Sequence, residues 1–277
     1  MIFTRYNDKK LKILSALSHY QYNSYSQMKR LGIEVHTSNL STLMKDLTHA
    51  RKPLVKAIPH RPNFEKLFYL TNHGAEVLTE LTELKKEEIK FPKHKVNTSS
   101  PEQKHRSQTI NFQIELDLAS KEKEIDVLFC DRYFDVTGNT REKNMKSKTA
   151  LIYEGKKTLK ADMIFMIQLP NGEKELFTHE HENGSDSQKS VDKMIQTGKA
   201  LLIGEAHEKY EFNKAYRTLW VFEKEGTMKA VLKKIEGNMF FENMKEQFLL
   251  KAEKEIRDDF FGGWRNLDGE ERRLYYL

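Results

Sequence analysis

The sequence predicts an α+β protein built from two domains. Its 277 residues exceed the usual length of one domain. In the first 86 residues, helical patterns surround one pair of short strand candidates, whereas from residue 105 onward strand candidates alternate with helices. The segment 87–104 between them contains two prolines and little periodicity, which is typical of a linker. We therefore expect a first domain at 1–86 and a second at 105–277.

Composition excludes several classes of protein. The mean hydropathy is −0.72, and no apolar run approaches the roughly 18 to 20 residues that cross a bilayer. Residues 1–5 have no signal-peptide pattern, so we expect a cytoplasmic protein with no membrane partner. Cys130 is the single cysteine, which rules out an internal disulfide and a cysteine-based zinc site. Aromatic residues make up 10% of the chain, enough for a packed core.

The positive charge is concentrated near the N-terminus. Residues 1–96 contain 17 Lys and Arg against 9 Asp and Glu, a net charge of +8, while the remainder has a net charge of −2. A basic first segment followed by a slightly acidic one is expected if the first contacts phosphates and the second gathers carboxylates. Chance and solubility offer a simpler explanation.

Four helices and two strands are predicted in the first domain. The helices are expected at 8–20, 24–32, 37–50 and 72 to about 86, and the strands at 54–58 and 66–70. A glycine, Gly32, closes the second helix. The apolar residues that set the helical spacing are Leu11, Ile13, Leu14 and Leu17 in the first helix and Leu40, Leu43, Met44 and Leu47 in the third.

Three helices followed by a β-hairpin describe a winged helix-turn-helix, in which the third helix enters the major groove of DNA. Double-stranded DNA is therefore the expected partner of this domain. The candidate contacts are Ser38, Asn39, Ser41, Thr42 and Lys45 on the third helix, and Arg51, Lys52, Arg61 and Lys66 as phosphate contacts around the hairpin. Two alternatives remain open, because winged helices also bind proteins and polar residues on a helix face are usually only solvated.

The second domain alternates strands and helices. Helices are predicted at 105–119, 187–202 and 228–235, and strands at 125–136, 161–169, 174–183, 217–222 and 248–250. The stretch 137–147 has the composition of a mobile loop. This order is expected of a nuclease-like α/β domain.

Acidic side chains cluster where two of these strands form a hairpin. Glu180 and Glu182 are two residues apart on one strand and so share a face, with Asp162 on the preceding strand as a third oxygen donor. Many nucleases hold Mg²⁺ or Mn²⁺ with carboxylates on adjacent strands. The sequence therefore predicts a Mg²⁺ or Mn²⁺ site at Asp162, Glu180 and Glu182. The alternative, that the acidic pair is an ordinary exposed strand end, remains open.

A lysine normally assists such a site, but the residue two positions after Glu180 is Glu182. The basic assistant must then come from elsewhere, and Lys160, Lys189 and Lys193 are the candidates. Lys193 lies on the predicted helix that follows the hairpin.

The hairpin register decides whether Asp162 takes part. With a two-residue turn at Asn171 and Gly172, paired positions sum to 343 and Asp162 lies opposite His181. A one-residue bulge or a three-residue loop makes the sum 344 and places Asp162 opposite Glu182. The metal hypothesis needs this second register or a strong twist near the strand ends, and the sequence does not choose between the two registers.

The triplet His179, Glu180 and His181 also permits a different metal site. Alternate histidines on a strand hold the metal of tyrosine relaxases. That motif has a hydrophobic residue between the histidines, where this chain has Glu180, so the carboxylate site is the favoured interpretation.

Taken together, these residues resemble the replication-relaxation family of plasmid mobilisation proteins, and within it the MobC-type relaxases related to restriction endonucleases. The likeness covers nearly the whole chain. Its parts are 68–74 at the end of the winged helix, His105, 160–162, the segment 180–184 and Trp264. The most specific part is the triplet His181, Glu182 and Asn183. Ala161 stands where the nuclease superfamily often has Pro, and Thr197 where relatives often have an aromatic residue.

The resemblance implies a restriction-endonuclease-like second domain and a metal-dependent enzyme. Such an enzyme nicks one DNA strand at a plasmid transfer origin without a covalent tyrosyl intermediate. Other relaxosome or secretion-coupling proteins would be its further partners. The catalytic residues would be Asp162, Glu180, His181, Glu182, Asn183 and Lys193. The competing hypothesis is an accessory protein or repressor that binds DNA through the same winged helix and cleaves nothing.

Overall fold

The computed structural model describes residues 8–59, 64–92, 99–138, 145–155, 157–204 and 206–275. The architecture is mixed α+β and contains a large mixed sheet. The chain divides into two compact units, Met1–Ile114 and Glu115–Leu277. The division falls inside one long helix, α5 (Ser100–Glu122), whose first turn begins within the segment predicted as a linker.

The first unit contains four helices and one short antiparallel hairpin. In chain order these are α1 (Asp8–Tyr20), α2 (Tyr25–Arg30), α3 (Thr37–Thr48), β1 (Val55–Ala57), β2 (Phe68–Leu70) and α4 (Asn72–Leu81). Ser24 caps α2 in a capping box with Gln27, which satisfies amides at the helix start. The apolar stripe of α3 is buried through Leu40, Met44 and Leu47, so the polar residues between them face outward.

Helix α4 is shorter than predicted. It ends at Leu81, because Thr82 adopts an extended conformation with φ −136° and ψ 173°. The Thr82 hydroxyl donates to the carbonyl of Leu78 at 2.7 Å, which satisfies one of the carbonyls that the helix end leaves open.

The second unit is organised by a seven-stranded sheet with the order β13-β12-β11-β10-β9-β8-β3. Its strands are β3 (Asp126–Arg132), β8 (Met163–Gln168), β9 (Lys174–Glu182), β10 (Arg217–Phe222), β11 (Phe248–Ala252), β12 (Trp264–Arg265) and β13 (Glu271–Arg272). Strands β9, β10 and β11 run parallel, and the other neighbours are antiparallel.

Helices α6 (Ser187–Ile203) and α8 (Glu225–Ile235) connect the parallel strands. A parallel pair requires such a crossover, because the first strand ends at one edge of the sheet and the second must begin at the opposite edge. Residues from both helices pack with Trp220, Phe222, Phe248 and Leu250 of β10 and β11 in one buried cluster. A short helix, α7 (Ala206–Lys209), lies between α6 and β10.

Two shorter hairpins complete the second unit. β4 (Val136–Thr137) pairs with β5 (Lys146–Ser147), and β6 (Ala150–Tyr153) pairs with β7 (Lys157–Lys160). The loop predicted at 137–147 falls largely on residues 139–144, outside the described part of the chain. The hairpin β6–β7 was not predicted from the sequence. Its turn includes Glu154 and Gly155, which have positive φ values of 45° and 74°.

The register of the β8–β9 hairpin differs from both registers expected from sequence. Met163 lies opposite His179 and Gln168 opposite Lys174, so paired positions sum to 342. The loop has three residues, closed by the amide of Gly172 on the carbonyl of Leu169 and by the amide of Leu169 on the carbonyl of Glu173, each at 2.8 Å. Gly172 has φ +85°, the left-handed residue that such a three-residue turn requires.

Among the described residues, no helix has the length and the apolar composition needed to cross a membrane.

Candidate functional site

Three carboxylates lie on one face of the hairpin β8–β9. Continuing the observed register by one residue places Asp162 opposite Glu180, and the Asp162 amide donates to the carbonyl of His179 at 3.1 Å. Residues opposite each other in an antiparallel pair share a face, as do residues two apart on one strand. Asp162, Glu180 and Glu182 therefore occupy the same face. Neither of the two expected registers placed Asp162 directly opposite Glu180.

This face is screened from water at Glu180. Strand β9 is paired on both edges, to β8 and to β10, and Glu180 has no exposed surface. Asp162 is also buried, while the side chain of Glu182 keeps 15% of its surface exposed. The site is therefore open to solvent at the Glu182 end.

Helix α6 supplies the polar groups that cover this face. Asp186 caps the helix by accepting hydrogen bonds from the amides of Gln188 and Lys189, which fixes where its first turns begin. Ser190 and Lys193 are three residues apart and so project from the same side. The Ser190 hydroxyl donates to Glu182 Oε2 at 3.0 Å.

Lys193 is the cation of the site. Its Nζ lies 2.7 Å from Glu180 Oε2 and 3.9 Å from Glu182 Oε1, and 5.9 Å from the centre of the Trp220 ring. Burial lowers the pKa of Lys193, but the carboxylates of Glu180, Asp162 and Glu182 outweigh burial and raise it above its ordinary value. Lys193 therefore stays protonated at neutral pH.

Glu180 has the opposite electrostatic balance. Burial raises its pKa to about 8, and the Lys193 ammonium offsets only part of that effect, while Asp162 and Glu182 add to it. No hydrogen-bond donor among the described residues reaches Glu180 Oε1. A buried carboxylate oxygen without a donor is costly, and such groups concentrate at functional sites.

A divalent cation suits this donor set in part. Mg²⁺ and Mn²⁺ prefer carboxylate oxygens, and the open oxygen of Glu180 lies on the face shared with Asp162 and Glu182. In the described conformation Asp162 Oδ2 accepts the His181 amide at 2.7 Å and Lys193 contacts Glu180. Among the described residues, no group of three His, Cys, Asp or Glu side chains has a geometry that could hold a metal ion.

The two histidines of the triplet face the other side of the sheet. His179 and His181 alternate with Glu180 along β9 and are both buried. His179 Nδ1 lies 3.3 Å from the Leu219 carbonyl, and His181 Nε2 lies 3.5 Å from Glu253 Oε2. The side chain of His181 is thus separated from the carboxylate face, although its amide contacts Asp162. Asn183 follows directly after β9 and is half-buried.

In the described part of the chain, neither of the other two lysines considered from sequence forms an ion pair with the carboxylates. Lys189 is exposed near the start of α6. Lys160 ends β7, where its Nζ lies 5.4 Å from the centre of the Tyr133 ring. Only Lys193 of the three has an ion pair with the predicted acidic site.

The candidate DNA contacts of the first unit are mostly exposed. Ser41 is half-buried, and Arg61 lies outside the described residues. Two of the exposed side chains have local contacts, since Thr42 donates to the Ser38 carbonyl at 3.1 Å and Lys66 lies 5.8 Å from the Phe68 ring centre. The exposed members of the set are Ser38, Asn39, Thr42, Lys45, Arg51, Lys52 and Lys66.

Sequence reasoning missed Ser190 and Trp220, which contact Glu182 and Lys193. The spacing of Ser190, Lys193 and Thr197 was a usable signal, because polar residues three and four apart form one stripe on a helix. Ser190 and Thr197 are both buried, so this polar stripe faces inward.

Comparison of the chain with protein-family models, with curated proteins and with solved structures gave no match.

Proposed function

We propose that the chain is a metal-dependent DNA endonuclease that nicks one strand of a duplex. The observation that carries the proposal is the set of three carboxylates on one sheet face together with the Lys193 ammonium. The resemblance to MobC-type relaxases makes the proposal more specific: a plasmid mobilisation relaxase that acts at a transfer origin, with a restriction-endonuclease-like second domain.

The topology of the second unit supports this proposal. Strands β3, β8 and β9 form an antiparallel meander, and α6 then leads to β10, which is parallel to β9. The acidic residues therefore lie on central strands, and the covering helix provides the lysine. A rigid sheet is a suitable support for a site whose donor atoms must keep a fixed spacing.

In this proposal Asp162, Glu180 and Glu182 would hold Mg²⁺ or Mn²⁺. Such an ion would activate water and neutralise charge on the phosphodiester. Lys193 keeps its positive charge and limits the repulsion among the carboxylates. Ser190 orients Glu182, and the amide of His181 orients Asp162.

The first unit would deliver the substrate. Its order of three helices and a hairpin is that of a winged helix, and the outward face of α3 carries small polar side chains and Lys45. Arg51 and Lys52 follow that helix and are exposed. Basic groups in this position suit contacts to phosphates.

The test measures nicking of a supercoiled plasmid that carries the DNA flanking the gene, with Mg²⁺ or Mn²⁺ present. We expect Glu182→Gln to abolish nicking and to leave duplex binding intact. Glu175→Gln is the matched control, because Glu175 lies on the same strand but on the opposite face from the acidic residues. There it forms an ion pair with Arg217 at 3.2 Å. Full nicking by Glu182→Gln would reject the proposed roles.

A second function has one observation in its favour. Since no group of three ligand side chains among the described residues has a geometry that could hold a metal ion, the chain would also suit a DNA-binding accessory protein or repressor that cleaves nothing. A calorimetric titration with Mn²⁺ separates the two functions. If the unaltered chain binds Mn²⁺ and Glu180→Gln does not, the nuclease is supported. If the unaltered chain does not bind Mn²⁺, the accessory protein is supported.

A further inference from the structure

A basic groove lies beside the edge strand β3 of the second unit. Its volume is about 970 Å³, and its walls come from β3, the pairs β4–β5 and β6–β7, and α7 with the residue that follows it, Tyr210. Four lysines line it, Lys146, Lys148, Lys160 and Lys209, against two acidic residues, Asp131 and Glu208. The excess of positive charge favours an anionic ligand.

The groove also has an aromatic wall. The rings of Phe129 and Tyr210 stack with their centres 5.2 Å apart and 9° between their planes. Lys209 Nζ lies 5.0 Å from the Tyr210 ring centre and donates to the carbonyls of Lys148 and Ala150. These contacts hold the wall in place. Because the two rings are stacked on each other, a base would contact an outer face of the pair. Aromatic faces beside lysines bind single-stranded nucleic acids, with bases stacked on the rings and phosphates paired with the lysines.

Two of the lysines are available for phosphates. Lys146 and Lys160 are exposed, and neither forms an ion pair with a carboxylate among the residues that the structure describes. Lys148 is partly neutralised by Asp131, whose Oδ1 lies 3.5 Å from its Nζ.

The groove and the carboxylates lie on the same face of the sheet. Phe129 is paired with Met166 and Asp131 with Ile164, and Ile164 is two residues from Asp162. Paired and alternate residues share a face, so Phe129 and Asp131 lie on the face of Asp162 and Glu180. One strand, β8, separates β3 from β9, which corresponds to a lateral distance of about 10 Å.

Chain connections also join the two features. Lys160 is two residues before Asp162, and the amide of Tyr133, whose ring lies beneath Lys160, donates to the Asp162 carbonyl at 2.9 Å. A ligand bound along the groove therefore ends close to the acidic face.

The aromatic wall selects the form of the ligand. Bases in a duplex are paired and stacked on one another, whereas the bases of a single strand can stack on aromatic side chains. The rings of Phe129 and Tyr210 therefore favour one strand over a duplex.

We propose that this groove binds two or three nucleotides of single-stranded DNA, with phosphates at Lys146 and Lys160 and a base against Phe129 and Tyr210. The inference rests on the proposed nuclease function and names the form in which DNA reaches the acidic face: a strand already separated from its complement.

The test measures binding of a fluorescein-labelled dT12 oligonucleotide to the full chain in EDTA, where cleavage does not contribute. The groove variant combines Lys146→Glu with Lys160→Glu. The control combines Lys174→Glu with Lys233→Glu, two exposed lysines of the same unit outside the groove. Both double variants change the net charge equally, and any binding of the oligonucleotide by the first unit is common to both.

We expect the groove variant to lose at least about tenfold in affinity and the control to change about twofold or less. The salt dependence should also fall, because each phosphate contact of a single strand contributes a slope of about 0.7 in log affinity against log salt, or about 1.4 for two lysines. As a second measurement, an oligonucleotide with 5-iododeoxyuridine should cross-link to a peptide containing Phe129 or Tyr210.

Equal affinities of the two double variants, or cross-links confined to other peptides, would overturn the inference. Displacement of the oligonucleotide by dTMP at the same nucleotide concentration would also overturn it, because the groove would then hold a mononucleotide. Failure of the nuclease proposal is distinguishable: the unaltered chain would bind dT12 through the groove yet neither nick DNA nor bind Mn²⁺.

Discussion

Replacing Glu180 with glutamine should stabilise the second unit in the absence of metal. Glutamine has nearly the shape of a protonated glutamate and cannot ionise, so the substitution removes the cost of burying a carboxyl that is ionised in the unfolded chain. A stabilising substitution at a buried position is unusual. It is expected where a site keeps a buried ionisable group for function at the expense of stability.

The magnitude follows from the raised pKa of Glu180, about 8 in the folded chain against an ordinary 4.5. A carboxyl whose folded pKa is raised takes up a proton on folding between these two values, so stability falls as pH rises through that window. At pH 7, the interval above the ordinary pKa of 4.5 corresponds, at 1.36 kcal/mol per pH unit, to a gain of about 3 kcal/mol in the free energy of unfolding for Glu180→Gln. At pH 4.5 the difference between Glu180→Gln and the unaltered chain should be below about 0.5 kcal/mol.

Urea unfolding in EDTA at pH 5, 7 and 8.5 measures this effect. Tryptophan fluorescence suits it, because both tryptophans, Trp220 and Trp264, lie in the second unit. Glu175→Gln is the control, since its half-exposed pair with Arg217 contributes about 1 kcal/mol or less. A lower urea midpoint for Glu180→Gln at pH 7, or an equal gain at pH 5 and 8.5, would show that burial does not raise the pKa of Glu180.

Three further predictions concern other parts of the chain. A hydrogen bond from Lys9 is the main cause that lowers the pKa of Glu34 to about 2, so Glu34 stabilises the first unit above pH 4.5 and ceases to do so as the pH falls toward 2. Glu34→Gln should therefore reduce the loss of stability in acid, measured by circular dichroism as a function of pH. An unchanged pH profile would contradict this prediction. Gly172→Ala should cost about 1 kcal/mol in urea unfolding because of its φ of +85°, whereas Gly226→Ala, in a helix with open space around it, should be neutral or stabilising; equal effects would refute the turn assignment. Lys251→Met should destabilise the second unit by about 2 kcal/mol, because two carbonyls that accept hydrogen bonds from Lys251 would lose their donor. A loss no larger than that caused by Lys229→Met, at an exposed lysine, would exclude this role.

The sequence by itself determined the order and type of most elements. Helix α1 and strand β10 begin and end where their patterns predicted, because a buried stripe leaves a clear period in the sequence. It also pointed to the acidic residues as a candidate site and included Lys193 among three candidate lysines, since a run of ionisable side chains at the end of a strand is unfavourable in a sheet that holds no ligand. The role of these residues stays a prediction. The winged-helix assignment and the relaxase activity stay predictions.

Only the tertiary structure decided which of these groups meet. The hairpin register depends on a three-residue turn in which Gly172 takes a positive φ, and the sequence permits several turns of similar energy. The pairing of Lys193 with Glu180 depends on how α6 packs across the sheet, which brings together residues 13 positions apart. The groove joins residues from 129 to 210, and no local pattern encodes such proximity, because it arises from the packing of elements that each satisfy only their own period.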